Sequence, residues 1–252
     1  MKKRSIALLV GGSIAICLLL STSTSSAAKA KPPAGFKALF NGKDLKGWWG
    51  LTTEDPAKWQ ALAPDKLKEK RKKSIEDIKQ HWTVVDGVLV NDGHGLYLST
   101  EKNYKNFELL VDYKTVLKAD SGIYLRGIPQ VQIWDSTDDS EQAVKLGKPK
   151  GSGGLWNNGA AGTPGRDPLV LADNPLGEWN SFRIKMIGDK VTVHLNGKLV
   201  VDNARLANFW GDRKLPMEER APIIESGPIQ LQTHGGEISW RNIYIREIKD
   251  GQ

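Results

Sequence analysis

The chain has 252 residues, a formal charge of +7 and a single cysteine, Cys17. Residues 1–30 hold Lys2, Lys3, Arg4 and Lys29 and no acidic residue, so the rest of the chain carries only +3, and no RNA- or DNA-binding motif accompanies it. These features exclude a nucleic-acid partner, and beyond Cys17 they exclude a disulfide, a thiol nucleophile and a cysteine metal site.

Lys2, Lys3 and Arg4 precede an apolar run, Ile6 to Leu20, and Ala28-Lys29-Ala30 has the small-x-small form of a cleavage site. That is the pattern of a secretory signal peptide, and the run is short for a bilayer span. The expectation is a periplasmic or secreted protein with no stable membrane span after cleavage. Ile16-Cys17-Leu18 lacks the small residue that precedes a lipid-anchored cysteine. Residues 31–35 read as a linker and 36–250 as one domain. A stretch of roughly 220 residues is long enough to bury a single core.

Phe36 to Phe40 alternates weakly and ends at the turn pair Asn41-Gly42. Residues 56–80 are rich in Lys and Glu, with sparse anchors at Leu62, Leu67, Ile75 and Ile78, and predict a helical insertion on the surface. From residue 81 strand signals come at short intervals. Trp82–Val85 and Val88–Val90 flank Asp86-Gly87; Phe107–Val116 is a long strand; Gly122–Arg126 and Gln130–Trp134 flank Gly127-Ile128-Pro129. Trp179–Ile187, Lys190–Leu195 and Lys198–Val201 follow, joined at Gly188-Asp189 and Asn196-Gly197, and Ile229–Thr233 and Ile238–Ile248 close the chain. Many strands with one helical stretch predict an all-β sandwich or barrel. The segments 136–176 and 202–227 are too long for plain connections, and their Trp156, Leu169, Val170, Leu171, Phe209 and Trp210 predict order.

Side chains alternate across a strand. Ile123, Leu125, Val131, Ile133, Ile229 and Leu231 then share an inner face. Tyr124, Arg126, Gln130, Gln132, Trp134, Gln230, Gln232 and His234 share the outer one. Amides both donate and accept, arginine offers a fixed fork and aromatic rings stack on C–H faces, which together suit a sugar. A plain solvated sheet face would carry Lys, Glu and Thr instead. Among the histidines, His81, His94 and His194 read as surface or turn residues. His234, at a strand end before Gly235-Gly236, is the best-placed general base, because imidazole titrates near neutrality. No paired-histidine metal spacing, phosphate loop or Gly-x-Ser-x-Gly elbow is present. Asp135, Asp138 and Asp139 offer calcium-type oxygens but also suit a solvated loop. No metal ligand is assigned and no cofactor is required, with a divalent metal admissible.

Several segments resemble the 3-keto-disaccharide hydrolase domain family. They are Phe36 to Trp48, Asp120-Ser121-Gly122-Ile123-Tyr124-Leu125-Arg126-Gly127, Val131 to Asp135, Gly177 to Asn180, Val193 to Lys198, Gly227 to Gly235 and Trp240 to Ile243. The resemblance implies a concanavalin-like jelly-roll β-sandwich whose concave sheet holds a sugar. It implies cleavage of glycosides already oxidised to a ketone at C3, by proton abstraction at C2, elimination and hydration. Carried over by motif, Arg126 would stabilise the enolate and His234 or Asp135 would serve as base or acid. Tyr124, Gln130, Gln132 and Gln232 would hold the sugar, and Trp134 or Trp156 would stack on it. For Asp135 a turn-capping role competes, and for Arg126 an ion pair with Glu108 or Asp112. Many relatives carry Tyr-Glu before the Val-Gln-Ile stretch, where this chain has Pro129-Gln130. An amide cannot act as a carboxylate base.

Two further functions compete with the enzyme: a non-catalytic carbohydrate-binding module on the same fold, and an ordinary glycosidase. The last needs two carboxylates flanking one groove. The expected partner in each case is a sugar or glycoside, and no sequence feature fixes an oligomeric state.

Overall fold

The computed structural model describes residues 31–249 and 251, and the signal-like segment at 1–30 lies outside them. Two antiparallel sheets form a jelly-roll sandwich. Numbered along the chain, the larger sheet runs β11 (Lys198–Arg205), β10 (Lys190–Leu195), β9 (Asn180–Ile187), β6 (Phe107–Thr115), β13 (Ile238–Glu247), β4 (Val88–Asn91) and β3 (Trp82–Val85), with β1 (Lys37–Ala38) also pairing β13. The smaller sheet runs β2 (Trp48–Leu51), β5 (Tyr97–Thr100), β12 (Ile229–Leu231), β7 (Asp120–Leu125) and β8 (Ile128–Trp134).

The larger sheet has one wet face and one dry face. Along β9 Phe182, Ile184 and Met186 are buried while Ser181, Arg183 and Lys185 are exposed. That strict alternation marks a half-buried antiparallel strand. Its inner residues meet Ile123, Leu125, Val131, Ile133, Ile229 and Leu231 of the smaller sheet in one core. At the centre Tyr113 stacks on Phe182 with ring centroids 5.1 Å apart. On the outer face Glu108 is held by both Arg183 and Arg246, and Asp112 by Arg241, Asn242 and Ser181.

The smaller sheet is dry on both sides. Every residue of β8 is buried, and so is every residue of β2. Two helices and two long loops cover its outer face. Residues 56–81 form α1 (Pro56–Gln60) and α2 (Pro64–His81). Asp55 caps α1 through the Ala57 N–H at 3.0 Å, and Pro64 opens α2, where its missing N–H costs nothing. The face of α2 bearing lysines is solvated, as its composition predicts. Its other face is not surface at all: Ile78 is fully buried and Ser74 accepts the Gly50 N–H of β2 at 3.0 Å. Gly50 permits this approach, since a Cβ there would sit 2.7 Å from Leu96 and 2.9 Å from Ile78. Trp49 lies under the helices, edge-on to Trp59 at 5.2 Å and beneath the Arg71 guanidinium at 5.0 Å.

The long loops are ordered by specific bonds. Residues 151–154 run along the free edge of β8, with Gly153 N donating to Gln132 O at 2.8 Å and Gln132 N to Gly154 O at 2.9 Å. Within 136–176 a short helix, α3 (Glu141–Leu146), is capped by Ser140. Buried Asn158 joins the two loops, donating to Arg205 O at 2.6 Å and accepting from Ala207 N at 2.9 Å. Trp210 anchors the second loop over the β7–β8 turn through its indole N–H to Gly127 O at 3.2 Å.

Candidate functional site

The outer face of β5, β12, β7 and β8, roofed by the loops, encloses a cavity of about 330 Å³. This is the size range of small-ligand sites. Its floor is Gln130, Gln132 and Gln232, with Gly122 packed against the first and last; Tyr97, Tyr124 and Thr53 form one wall, and Trp134, Trp156 and Leu146 the opposite one. Asp120 and His234 stand at the end where β7 begins, and Phe209 reaches in from the second loop.

Gly122 is small for a reason other than backbone freedom. A Cβ there would lie 2.9 Å from Gln130 Cδ and 3.0 Å from Gln232 Oε1 and Val131 O, so the two amides occupy the space a side chain would fill. The amides are buried, yet Gln130 Oε1 and Gln232 Oε1 have no hydrogen-bond partner among the described residues. A buried unpaired acceptor costs about 1–3 kcal/mol. Such groups in a native protein call for a donor, and a sugar hydroxyl supplies one.

The other floor amide is fully used. Gln132 Nε2 donates to Asp120 Oδ1 at 2.8 Å, Ser121 O at 3.0 Å and Ile133 O at 3.1 Å, while its Oε1 accepts from Gln130 Nε2. On the tyrosine wall Thr53 Oγ1 bonds Tyr97 Oη at 2.8 Å and Tyr124 Oη at 3.1 Å. Burial, and then the neighbouring Tyr97, push the Tyr124 phenol well above its ordinary pKa. Tyr124 therefore stays a neutral hydroxyl at physiological pH. The Trp134 and Trp156 rings meet edge to face at 6.0 Å, each fixed by its indole N–H to a loop carbonyl: Gly151 O at 2.8 Å and Leu146 O at 2.9 Å.

His234 is the one histidine lining the cavity, and its side chain is 63% exposed. Its Nδ1 lies 3.6 Å from Asp120 Oδ2. The neighbouring Asp120 raises the imidazole pKa above its ordinary value, against a smaller opposing effect of burial. Among the described residues lining the cavity Asp120 is the single carboxylate. Nowhere among the described residues do three His, Cys, Asp or Glu side chains gather at metal-ligand spacing.

Two sequence candidates lie elsewhere. Arg126 does not continue β7 toward the cavity. Its φ of 58° begins the turn to β8, and its buried guanidinium donates to Lys105 O at 2.7 Å, Asn106 Oδ1 at 3.3 Å and Ile224 O at 3.4 Å. Burial pulls its pKa down to about 10. The ion pairs weighed for it are absent too, since Glu108 and Asp112 face the other sheet's outer side. Asp135 is wholly buried behind β8 and accepts from Lys118 N at 2.8 Å, Thr137 N at 2.8 Å and Thr137 Oγ1 at 2.6 Å. That is the turn-capping geometry. Tyr124, Gln130, Gln132, Trp134, Trp156, Gln232 and His234 are brought together.

Residues 35–246 match the family described as the 3-keto-alpha-glucoside-1,2-lyase-like domain. The chain belongs to that family. Another protein similar to it is the 3-keto-disaccharide hydrolase of Bacteroides thetaiotaomicron, 24% identical over 250 residues, spanning 85% of this chain and 79% of the relative. The fold is also similar to that of two crystal structures of candidate glycosyl hydrolases from Parabacteroides distasonis. One is 24% identical with a TM-score of 0.57, covering 85% of this chain and 94% of its own. The second is 26% identical with a TM-score of 0.51, covering 84% and 99%.

Against that family background, Asp120, Tyr97, Thr53, Asn157, Leu146 and Phe209 line the cavity without having been singled out in the sequence. Asp120 was within reach: it is two residues before Gly122 and four before Tyr124, so strand alternation puts it on their face. Thr53, Asn157 and Phe209 come from irregular segments, which carry no such period.

Proposed function

We propose that this protein cleaves 3-keto-glycosides, with the sugar held in the amide-lined cavity and His234 as the base. A C3 ketone acidifies the C2 hydrogen. His234 Nε2 takes that proton, and the electron pair of the C2–H bond passes into the enolate on the C3 oxygen. The enolate then expels the C1 substituent, whose oxygen receives a proton from the imidazolium. Water adding across the C1–C2 double bond completes a net hydrolysis. Hydroxyls of Tyr97, Tyr124 and Thr53 and the Asn157 amide are the donors on hand for the developing enolate, a role for which oriented dipoles suffice. Trp134 and Trp156 would stack on the ring.

The observation that carries this proposal is the convergence of an Asp–His pair with unpartnered buried amide oxygens in one cavity, in a chain of this family. A single lining carboxylate argues against the ordinary glycosidase, which needs two. Gln130, in place of the glutamate of many relatives, favours the carbohydrate-binding module as the second reading. Export to the periplasm or beyond, through the segment at 1–30, is part of the proposal.

The test uses purified protein with methyl 3-keto-glucoside and its unoxidised parent, following the ketone chromophore and methanol release. The expected result is turnover of the ketone alone, abolished in His234→Ala. Binding of both sugars with turnover of neither would make the protein a binding module.

A further inference from the structure

The hydrogen bonds of the cavity floor have a direction, and Asp120 stands at its accepting end. Gln132 cannot turn its amide over, because Nε2 serves three acceptors at once: Asp120 Oδ1, Ser121 O and Ile133 O. A flipped amide would set its carbonyl against all three. Gln132 Oε1 therefore faces Gln130, and Gln130 must present Nε2 to it. Donation runs one way, from Gln130 to Gln132 to Asp120. The chain ends on Asp120 Oδ1, an oxygen that accepts.

The other oxygen of Asp120 faces His234 Nδ1. The backbone holds the two together: Asp120 N donates to Gly235 O at 3.4 Å, so the start of β7 is tied to the residue after the histidine. With a carboxyl oxygen 3.6 Å away, the tautomer favoured is the one with the hydrogen on Nδ1, which leaves the lone pair of the neutral ring on Nε2. Which nitrogen bears the proton is decided by the bond the other makes. The remaining charged groups nearby are Lys148, which opposes protonation of the ring, and Asp138, which pairs with Lys148 at 3.7 Å.

We propose that Asp120 is the positioning carboxylate of this site: held by the Gln130–Gln132 amide chain, it fixes His234 in the Nδ1–H form with Nε2 turned to the substrate. The amide at position 130 fits this arrangement. An ionised glutamate there would confront Gln132 Oε1 with a second acceptor, whereas Gln130 donates and passes the demand for a carboxylate along to Asp120. This proposal rests on His234 being the base, but its decisive readout needs no turnover.

The experiment is ¹⁵N NMR of the uniformly labelled protein, with long-range proton–nitrogen correlations that report the tautomer and midpoint of each imidazole. His234→Gln assigns the signal. The expected result is an Nδ1–H tautomer for His234 above its midpoint, and a midpoint higher than the ordinary value of about 6.5. In Asp120→Asn, which is isosteric and keeps an acceptor for Gln132, the midpoint falls and the tautomer preference is lost. Asp120→Glu restores both in part. In the methyl 3-keto-glucoside assay Asp120→Asn lowers kcat roughly 10²-fold, the lower end of what general acid–base catalysis contributes, with KM little changed. An Nε2–H tautomer in the wild-type protein would overturn the proposal, as would an identical His234 titration in Asp120→Asn. The expected tautomer in a protein that turns over no ketone would leave Asp120 in place and remove the enzymatic reading alone.

Discussion

Replacing Asp135 separates a structural carboxylate from a chemical one. The side chain is fully buried and holds three donors, two on Thr137 and one on Lys118. It also pins Lys118 at a φ of 60°, a backbone region that side chains other than glycine enter reluctantly. A hydrogen bond to a charged group is worth about 1.5–3 kcal/mol net. Lys118 and Thr137 are exposed, so water replaces part of what they lose, and Asp135→Ala should cost about 3 kcal/mol in all. For a domain this large that is a fall in Tm of about 6–12 °C. Asp135→Asn keeps one accepting oxygen and should cost about half as much. The effect depends on pH with a definite sign. Burial pushes the Asp135 pKa up, but the Thr137 side chain and the Lys118 and Thr137 N–H groups outweigh it and hold the value below the ordinary one. The carboxylate thus ionises more readily folded than unfolded. Its stabilisation is whole above the unfolded value of about 3.9 and fades as pH falls through the folded value. The assay is urea unfolding near neutrality and in mild acid, beside turnover of the 3-keto-glucoside. The expected variant unfolds earlier, by a margin that shrinks in acid, and keeps the kcat of its folded fraction. An unchanged unfolding midpoint with turnover lost would refute this account and return Asp135 to the chemistry.

Gly122→Ala should displace two floor amides at about 0.5–1.5 kcal/mol each, weakening methyl glucoside binding roughly 5- to 150-fold by calorimetry. Unaltered affinity would mean the sugar does not rest on that floor. Arg126→Met removes the buried donor to Lys105 O and to Asn106 Oδ1, which keeps the Gly188 N–H, and should destabilise by about 1–3 kcal/mol while sparing turnover per folded molecule. A stable but inactive variant would restore Arg126 as a participant. Because Asp120 raises the His234 pKa, the free base forms at higher pH than for an ordinary histidine, and the acid limb of kcat/KM should be displaced upward from about 6.5. The folded pKa exceeds the unfolded one, so the pair's contribution to stability is complete in acid and is lost as pH rises through the folded value. A limb at or below the ordinary value would contradict the pairing.

Much of the sandwich was legible because its strands are half-buried. Phe107–Val116, Trp179–Ile187 and Lys190–Leu195 show the period of two, and turn pairs mark their ends. Trp48–Leu51 and Tyr97–Thr100 escaped notice for a physical reason. Each has only four residues, and Trp48–Leu51 is dry on both faces because α2 lies over it, which erases alternation. The amide and tryptophan face was legible from the same alternation. Arg126 was misplaced by it, since one residue in the left-handed region ends the strand and turns the side chain away. The roof residues Asn157 and Phe209 depend on how two irregular loops are clasped by Asn158, an arrangement no local pattern encodes.

The strand order carries a lesson about timing. β13, the last strand of the sandwich in chain order, sits inside the larger sheet between β6 and β4 and also pairs β1. Until it arrives, β6 and β4 each lack a neighbour, and Trp240, Ile243 and Ile245 are missing from the core. Pairings so distant in sequence are slow to form, and here they cannot start before β13 has been made. The nascent polypeptide is therefore held open by its own topology. For a chain routed through a membrane pore, as proposed above, that delay keeps it threadable until β13 has emerged.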